Sequence, residues 1–163
     1  TKHPENVQRL VLANTFAPND LIKDKNGTLG SLLPVLPEWV IMDTLRGSIE
    51  DSIYPASGNN ELVKAYLLEM TYGKMSKAQF IARYRCVIEK FSPPDLIKLS
   101  KYALIIESDN DPLVEPALRQ QLKETYPTAK VIRFQNVGHF PYLVMPDEYT
   151  LVLLDFLALP IMY

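Results

Sequence analysis

Residues 102–143, YALIIESDNDPLVEPALRQQLKETYPTAKVIRFQNVGHFPYL, hold two apolar runs, and each is followed by a polar turn. The run at 102–106 is continuous, which is typical of a strand covered on both faces. The run at 130–134 predicts a second strand, and a helical pattern from about Pro116 lies between the two. A last helical pattern follows the second turn. The order strand, loop, helix, strand, loop, helix predicts a parallel sheet with helices packed on it.

An earlier apolar run, at residues 7–14, predicts another strand of the same sheet. The connection from Asn14 to Tyr102 is far longer than the dozen or so residues that a parallel crossover needs. Within it, residues 38–46 and 60–72 have helical patterns, and Ser76 is a candidate N-cap for a third helix that Pro93-Pro94 would end. We therefore expect residues 1–16 and 99–163 to form the sheet core and residues 17–98 to form a helical insertion.

Composition excludes several classes of protein. The 163 residues are 47% hydrophobic with a net charge of −2, which is typical of a globular domain and gives no electrostatic case for binding nucleic acid. No apolar run is long enough to predict a membrane span. The single Cys86 rules out an internal disulfide framework and fits a reducing, cytoplasmic compartment. With only two histidines we assign no metal, and we assign no cofactor.

Polar residues follow both strands of the opening stretch. In open parallel sheets, ligands bind beyond the carboxyl ends of the strands, and neighbouring strands lie about 4.8 Å apart. An aspartate in one loop, Asp109 or Asp111, can therefore reach His139 in the next. Such a pair fixes the imidazole tautomer and leaves the other ring nitrogen as a general base. Glu107 is a third carboxylate, for which a structural role is the simpler interpretation.

Asp-Pro-Leu-Val at 111–114 and Gly-His-Phe-Pro at 138–141 together resemble the acid and histidine loops of the α/β-hydrolase fold. The resemblance implies that Asp111, rather than Asp109, is the acid of a catalytic triad and that His139 is its base. It also implies that the insertion is a lid. Residues 9–16, 126–129 and 138–143 are similar to the maspardin branch of this superfamily. The resemblance thus implies a serine-type ester or acyl hydrolase that is located in the cytoplasm, with a peripheral position on endosomal membranes as an option.

The chain departs from the family pattern at the nucleophile, because it has no G-x-S-x-G. No serine has the glycine frame of a nucleophile elbow: Ser31, Ser48, Ser52, Ser57, Ser76, Ser92, Ser100 and Ser108. In this fold the elbow precedes the strand at 7–14, so the resemblance implies a C-terminal half whose nucleophile lies outside this chain. We expect the chain alone to be inactive. Its expected partner is the N-terminal half of the same hydrolase, or a second copy paired at the exposed sheet edge.

An alternative from another class is a non-catalytic scaffold for protein–protein interaction in endosomal trafficking, since fold alone does not establish function.

Two smaller expectations concern packing. Cys86 is expected to be a small packing residue. Aromatic and methionine side chains of the insertion are candidates for an acyl pocket, although core packing is their default role: Trp39, Met42, Tyr66, Met70, Tyr72, Phe80 and Tyr84.

Overall fold

The fold is built on one parallel sheet. A computed structural model describes residues 6–17, 20–89 and 101–158, without the side chains of residues 23 and 25. Its strands are β1 (Leu10–Ala13), β2 (Ala103–Ser108) and β3 (Lys130–Phe134), in the order β1-β2-β3 with parallel pairing throughout. The predicted α/β class with a three-stranded parallel sheet is therefore confirmed.

The central strand β2 is buried along its whole length, as its continuous apolar run predicts. Alternate residues of a strand face opposite sides of the sheet. On one side Ala103 and Ile105 pack against Leu122 and Tyr126. On the other side the core cluster comprises Leu104, Ile106, Phe134, Val137 and Phe156.

Up to residue 158, three helices follow β2. Helix α6 (Pro116–Thr125) lies between β2 and β3 and supplies Leu122, and α8 (Pro146–Ala158) supplies Phe156 to the opposite face. Between β3 and α8 a single short turn, α7 (Pro141–Val144), begins at a proline, which suits the first position of a helix. Because β2 and β3 are parallel, the two loops that follow them lie at the same end of the sheet, the carboxyl end of its strands.

Strand β1 is shorter than the predicted run of 7–14. Its pairing begins where the amide of Leu10 donates to the carbonyl of Tyr102, and it pairs as far as Ala13 with Ile106. Asn14 then takes a left-handed backbone with φ of 42° and ends the strand. Among the described residues, no strand pairs with the other edge of β1.

The described part of the connection between β1 and β2, residues 14–17, 20–89 and 101–102, is mostly helical. Its elements are α1 (Asp20–Leu32), α2 (Glu38–Ser48), a π-helical turn (Ile49–Ile53), α3 (Tyr54–Ala56), α4 (Glu61–Leu68), a second π-helical turn (Glu69–Lys74) and α5 (Lys77–Ile88). We call residues 20–88 the helical segment. Ser76 caps α5 in a capping box with Gln79, as its position predicts. The proposed stop at Pro93-Pro94 lies outside the described residues.

The helical segment packs on the loop that follows β3. One of its clusters joins Ile49, Ile53, Val63 and Leu67 to side chains of residues 140–144. Cys86 is exposed, so the expected packing role is wrong; its side chain lies off the buried face of α5. Among the described residues, no helix has both the length and the apolar character needed to cross a bilayer.

Candidate functional site

The loops after β2 and β3 bring Asp111 and His139 into hydrogen-bonding contact. In the register, Ser108 at the end of β2 lies beside Phe134 at the end of β3. The Nδ1 atom of His139 lies 2.9 Å from Oδ2 of Asp111 and 3.0 Å from Oδ1. The carboxylate side chain is fully buried, whereas the imidazole is 22% exposed. A buried acid therefore holds a histidine that reaches the surface.

Backbone and side-chain donors stabilise the charged form of Asp111. Oδ1 accepts hydrogen bonds from the amides of Leu113 (2.8 Å) and Val114 (3.1 Å), and Oδ2 accepts one from Nδ2 of Asn14 (2.9 Å). Burial acts to raise the pKa of this carboxyl, but the hydrogen bond and charge of His139, with the bonds from Asn14 and Leu113, outweigh it. The pKa of Asp111 is therefore below its ordinary value, and the group is a carboxylate at neutral pH.

This contact determines which nitrogen of His139 is available. A carboxylate accepts a hydrogen bond, so the neutral imidazole carries its proton on Nδ1 and its lone pair on Nε2. Among the described residues, none forms a hydrogen bond with Nε2. The ring of Phe140 lies edge-on to the imidazole, with centroids 4.9 Å apart, and limits its rotation. The geometry leaves the lone pair of Nε2 without a hydrogen bond from any described residue and able to accept a proton.

The other two carboxylates have different partners. Oδ1 of Asp109 accepts a hydrogen bond from the amide of Asn136 at 2.8 Å, which ties the two loops together. Glu107 is 3% exposed and pairs with Arg133 (2.6 Å) and Lys123 (3.2 Å). Neither contacts His139, and the ion pairs of Glu107 agree with the structural interpretation.

Asn14 is a site residue that the sequence alone did not reveal. Its Nδ2 lies 2.9 Å from Oδ2 of Asp111 and 3.0 Å from Oγ of Ser108. The left-handed backbone that ends β1 turns this side chain towards the two loops. The available signal was its position, an asparagine at the carboxyl end of a predicted neighbouring strand.

Asn110 is a second missed residue, and it joins the histidine loop to the helical segment. Its Oδ1 accepts a hydrogen bond from the amide of Gly138 (2.9 Å), and its Nδ2 donates to the carbonyl of Ala56 (2.7 Å). Gly138 has a φ of 64°, and a Cβ there would lie 3.0 Å from the carbonyl carbon of Ala56 and 3.1 Å from the amide nitrogen of Ser57. Glycine is therefore needed at position 138 both for the left-handed backbone and for the close approach to Ala56.

An apolar cavity of about 340 Å³ adjoins this site. Leu113, whose amide binds Asp111, and Phe140, whose ring contacts His139, both line it, and the helical segment supplies its other walls. Of the pocket candidates named from sequence, four line this cavity: Tyr66, Met70, Phe80 and Tyr84. The others lie elsewhere, Met42 buried in the helical segment and Trp39 and Tyr72 exposed.

In residues 6–17, 20–89 and 101–158, no group of three or more His, Cys, Asp or Glu side chains is arranged to hold a metal ion.

Solved structures similar to this chain are α/β-hydrolases and related enzymes. An α/β-hydrolase, MGS-M2, from a Medee basin deep-sea metagenome library superposes with a TM-score of 0.67 at 21% identity, over 99% of this chain and 60% of that one. A putative non-heme bromoperoxidase, BpoC, from Mycobacterium tuberculosis H37Rv gives 0.66 at 18% identity, over 95% and 59%. The enol-lactonase from Burkholderia xenovorans LB400 gives 0.62 at 16% identity, over 97% and 59%.

These likenesses show the fold, which is of the α/β-hydrolase type. The chain spans about 60% of the length of the structures it matches. A comparison with protein-family models and one with curated protein sequences gave no match.

Proposed function

We propose that this chain belongs to a serine-type ester or acyl hydrolase in which Asp111 is the acid and His139 the base of the triad. The observation that carries the proposal is the hydrogen bond between the buried carboxylate of Asp111 and His139, beside an apolar cavity. The ionised acid, the free Nε2 atom and the cavity are the features that acyl transfer requires of this half of a site.

The chemistry assigns one role to each group. A serine hydroxyl from outside this chain attacks the ester carbonyl, and Nε2 of His139 takes its proton. Collapse of the tetrahedral intermediate breaks the bond to the leaving oxygen, which receives that proton. Water then releases the acyl group by the same two steps. Asp111 orients the ring and stabilises the imidazolium that forms in each step.

We further propose that the chain acts as the C-terminal half of such a hydrolase, of the maspardin-like branch, with residues 17–98 as its lid. The nucleophile and the missing strands would come from an N-terminal half placed beside β1. Two features support this partner: the edge of β1 with which no described strand pairs, and a row of leucines on α8, each more than half exposed, at Leu151, Leu154 and Leu157. A second copy paired at the same edge is the alternative partner.

The test uses the complete protein, with this chain alone as a comparison. We expect the complete protein to hydrolyse a p-nitrophenyl ester and to be labelled by a fluorophosphonate, and this chain alone to do neither. Asp111→Asn should lower kcat by at least about 10³-fold, because the carboxylate no longer fixes the tautomer. Asp109→Asn is the matched control from the same loop and should cost less than tenfold.

Two results would count against the proposal. Equal losses for the two asparagine variants would remove the role of Asp111. A complete protein with neither hydrolysis nor labelling would favour the scaffold function, in which the fold serves only to bind other proteins, including partners in endosomal trafficking.

A further inference from the structure

The cavity beside His139 has a mostly apolar wall that contains one charged residue, Arg83. Helix α5 contributes Phe80, Arg83, Tyr84 and Val87 to the lining. These positions follow the i, i+3, i+4, i+7 spacing of one helix face. Arg83 thus lies in the middle of the face that α5 presents to the cavity.

Arg83 has no acidic partner in the described part of the chain. None of the ion pairs there includes it, although other exposed cations such as Lys74 and Lys130 are paired. Arginine stays charged in proteins, and its long aliphatic stem can line an apolar surface while the guanidinium remains at the edge. The cavity therefore combines an apolar body with an uncompensated positive charge in its wall.

We propose that the cavity binds the acyl part of an anionic substrate, an aliphatic chain that ends in a carboxylate held by Arg83. The inference rests on the proposed function and names the substrate class for the same site. Phe140 and Leu113 mark the end of the cavity nearest His139, where the ester carbonyl would react. A guanidinium matches the two oxygens of a carboxylate. At about 340 Å³ the cavity is at the small end of the range for ligand pockets, which suits a short chain.

The test compares two esters of equal chain length in the complete protein, p-nitrophenyl hexanoate and the mono-p-nitrophenyl ester of adipic acid. We expect the adipate monoester to have the higher kcat/KM. Arg83→Gln should lower the ratio of the two kcat/KM values by about tenfold, and Arg83→Lys should retain part of it. Arg85→Gln is the matched control: Arg85 is on the same helix but lines a different groove, with Ala78, Ile81 and Ala82. It should leave the ratio unchanged.

A binding experiment separates this inference from the catalytic proposal. Titration of the complete protein with octanoate and with 1-octanol requires no turnover, so it remains informative if neither ester is hydrolysed. We expect octanoate to bind more tightly than octanol, and we expect Arg83→Gln to remove the difference. Equal binding of the two ligands by the wild type, binding of neither, or a preference that survives Arg83→Gln would overturn the assignment of Arg83.

Discussion

Replacing Gly138 by alanine tests how closely the histidine loop and the helical segment fit together. The substitution adds a Cβ at a residue with φ of 64°, and this atom would lie 3.0 Å from the carbonyl carbon of Ala56 and 3.1 Å from Ser57 N. A left-handed backbone costs alanine about 1–2 kcal/mol. Crowding against backbone atoms, which must shift, adds roughly 1–3 kcal/mol. We therefore expect a loss of about 2–5 kcal/mol in the free energy of unfolding.

Two other glycines separate these contributions. Gly58 also has a left-handed backbone, with φ of 69°, but a Cβ there would meet nothing within 4 Å. Gly58→Ala should therefore cost only about 1–2 kcal/mol. Gly47 lies inside α2, again with nothing within 4 Å, so Gly47→Ala should stabilise the protein by up to about 1 kcal/mol.

The assay is urea denaturation of the complete protein and its three variants at one pH, followed by circular dichroism. The expected order of stability is Gly47→Ala, wild type, Gly58→Ala, Gly138→Ala. Equal losses at Gly58 and Gly138 would show that the approach to Ala56 contributes nothing, and the argument from packing would be wrong.

Substitutions at three further residues have expected outcomes. Because the pKa of Asp111 is lower in the folded protein than its value of about 3.9 in the unfolded chain, this group stabilises the fold at pH values above about 3.9, and that stability is lost as the pH falls through the folded pKa. Asp111→Asn should therefore lose less unfolding free energy than the wild type between about pH 5 and pH 2 in urea titrations, and an unchanged loss would contradict this. Glu107→Gln should cost about 1–3 kcal/mol, because it leaves Lys123 and the half-exposed Arg133 without a buried carboxylate; no shift in the urea midpoint would refute it. Ser76→Ala should cost about 1 kcal/mol by removing the capping box of α5, whereas Ser76→Asp should retain most of the stability in thermal melts.

The sequence predicted the sheet because local patterns determine it. Strands β2 and β3 and helix α6 lie where the apolar runs and the helical pattern from about Pro116 predict them, and the neighbouring loops follow from the parallel order. The length of β1 was not predictable in the same way. Residues 7–9 belong to the predicted run, but pairing starts only at Leu10, whose amide donates a hydrogen bond to the carbonyl of Tyr102.

Local patterns left Asp109 and Asp111 open as the acid, and only the resemblance of Asp-Pro-Leu-Val to the family's acid loop favoured Asp111. Both follow the same strand, and local sequence patterns do not tell which carboxylate faces the next loop. The hydrogen bonds distinguish the two carboxylates, since Asp109 accepts from the amide of Asn136 whereas Asp111 contacts Nδ1 of His139. Asn14 is 97 positions from Asp111, and a contact over that distance leaves no local signal in one sequence.

The hydrogen bond from the backbone amide of Gly138 to the side chain of Asn110 makes this amide a natural reporter of local opening. That amide donates to Asn110 from a buried residue that lies against Ala56, so its proton exchanges with solvent only when this contact opens. The rate of deuterium uptake at Gly138 would report how often the helical segment separates from the histidine loop, and the measurement would need no attached label.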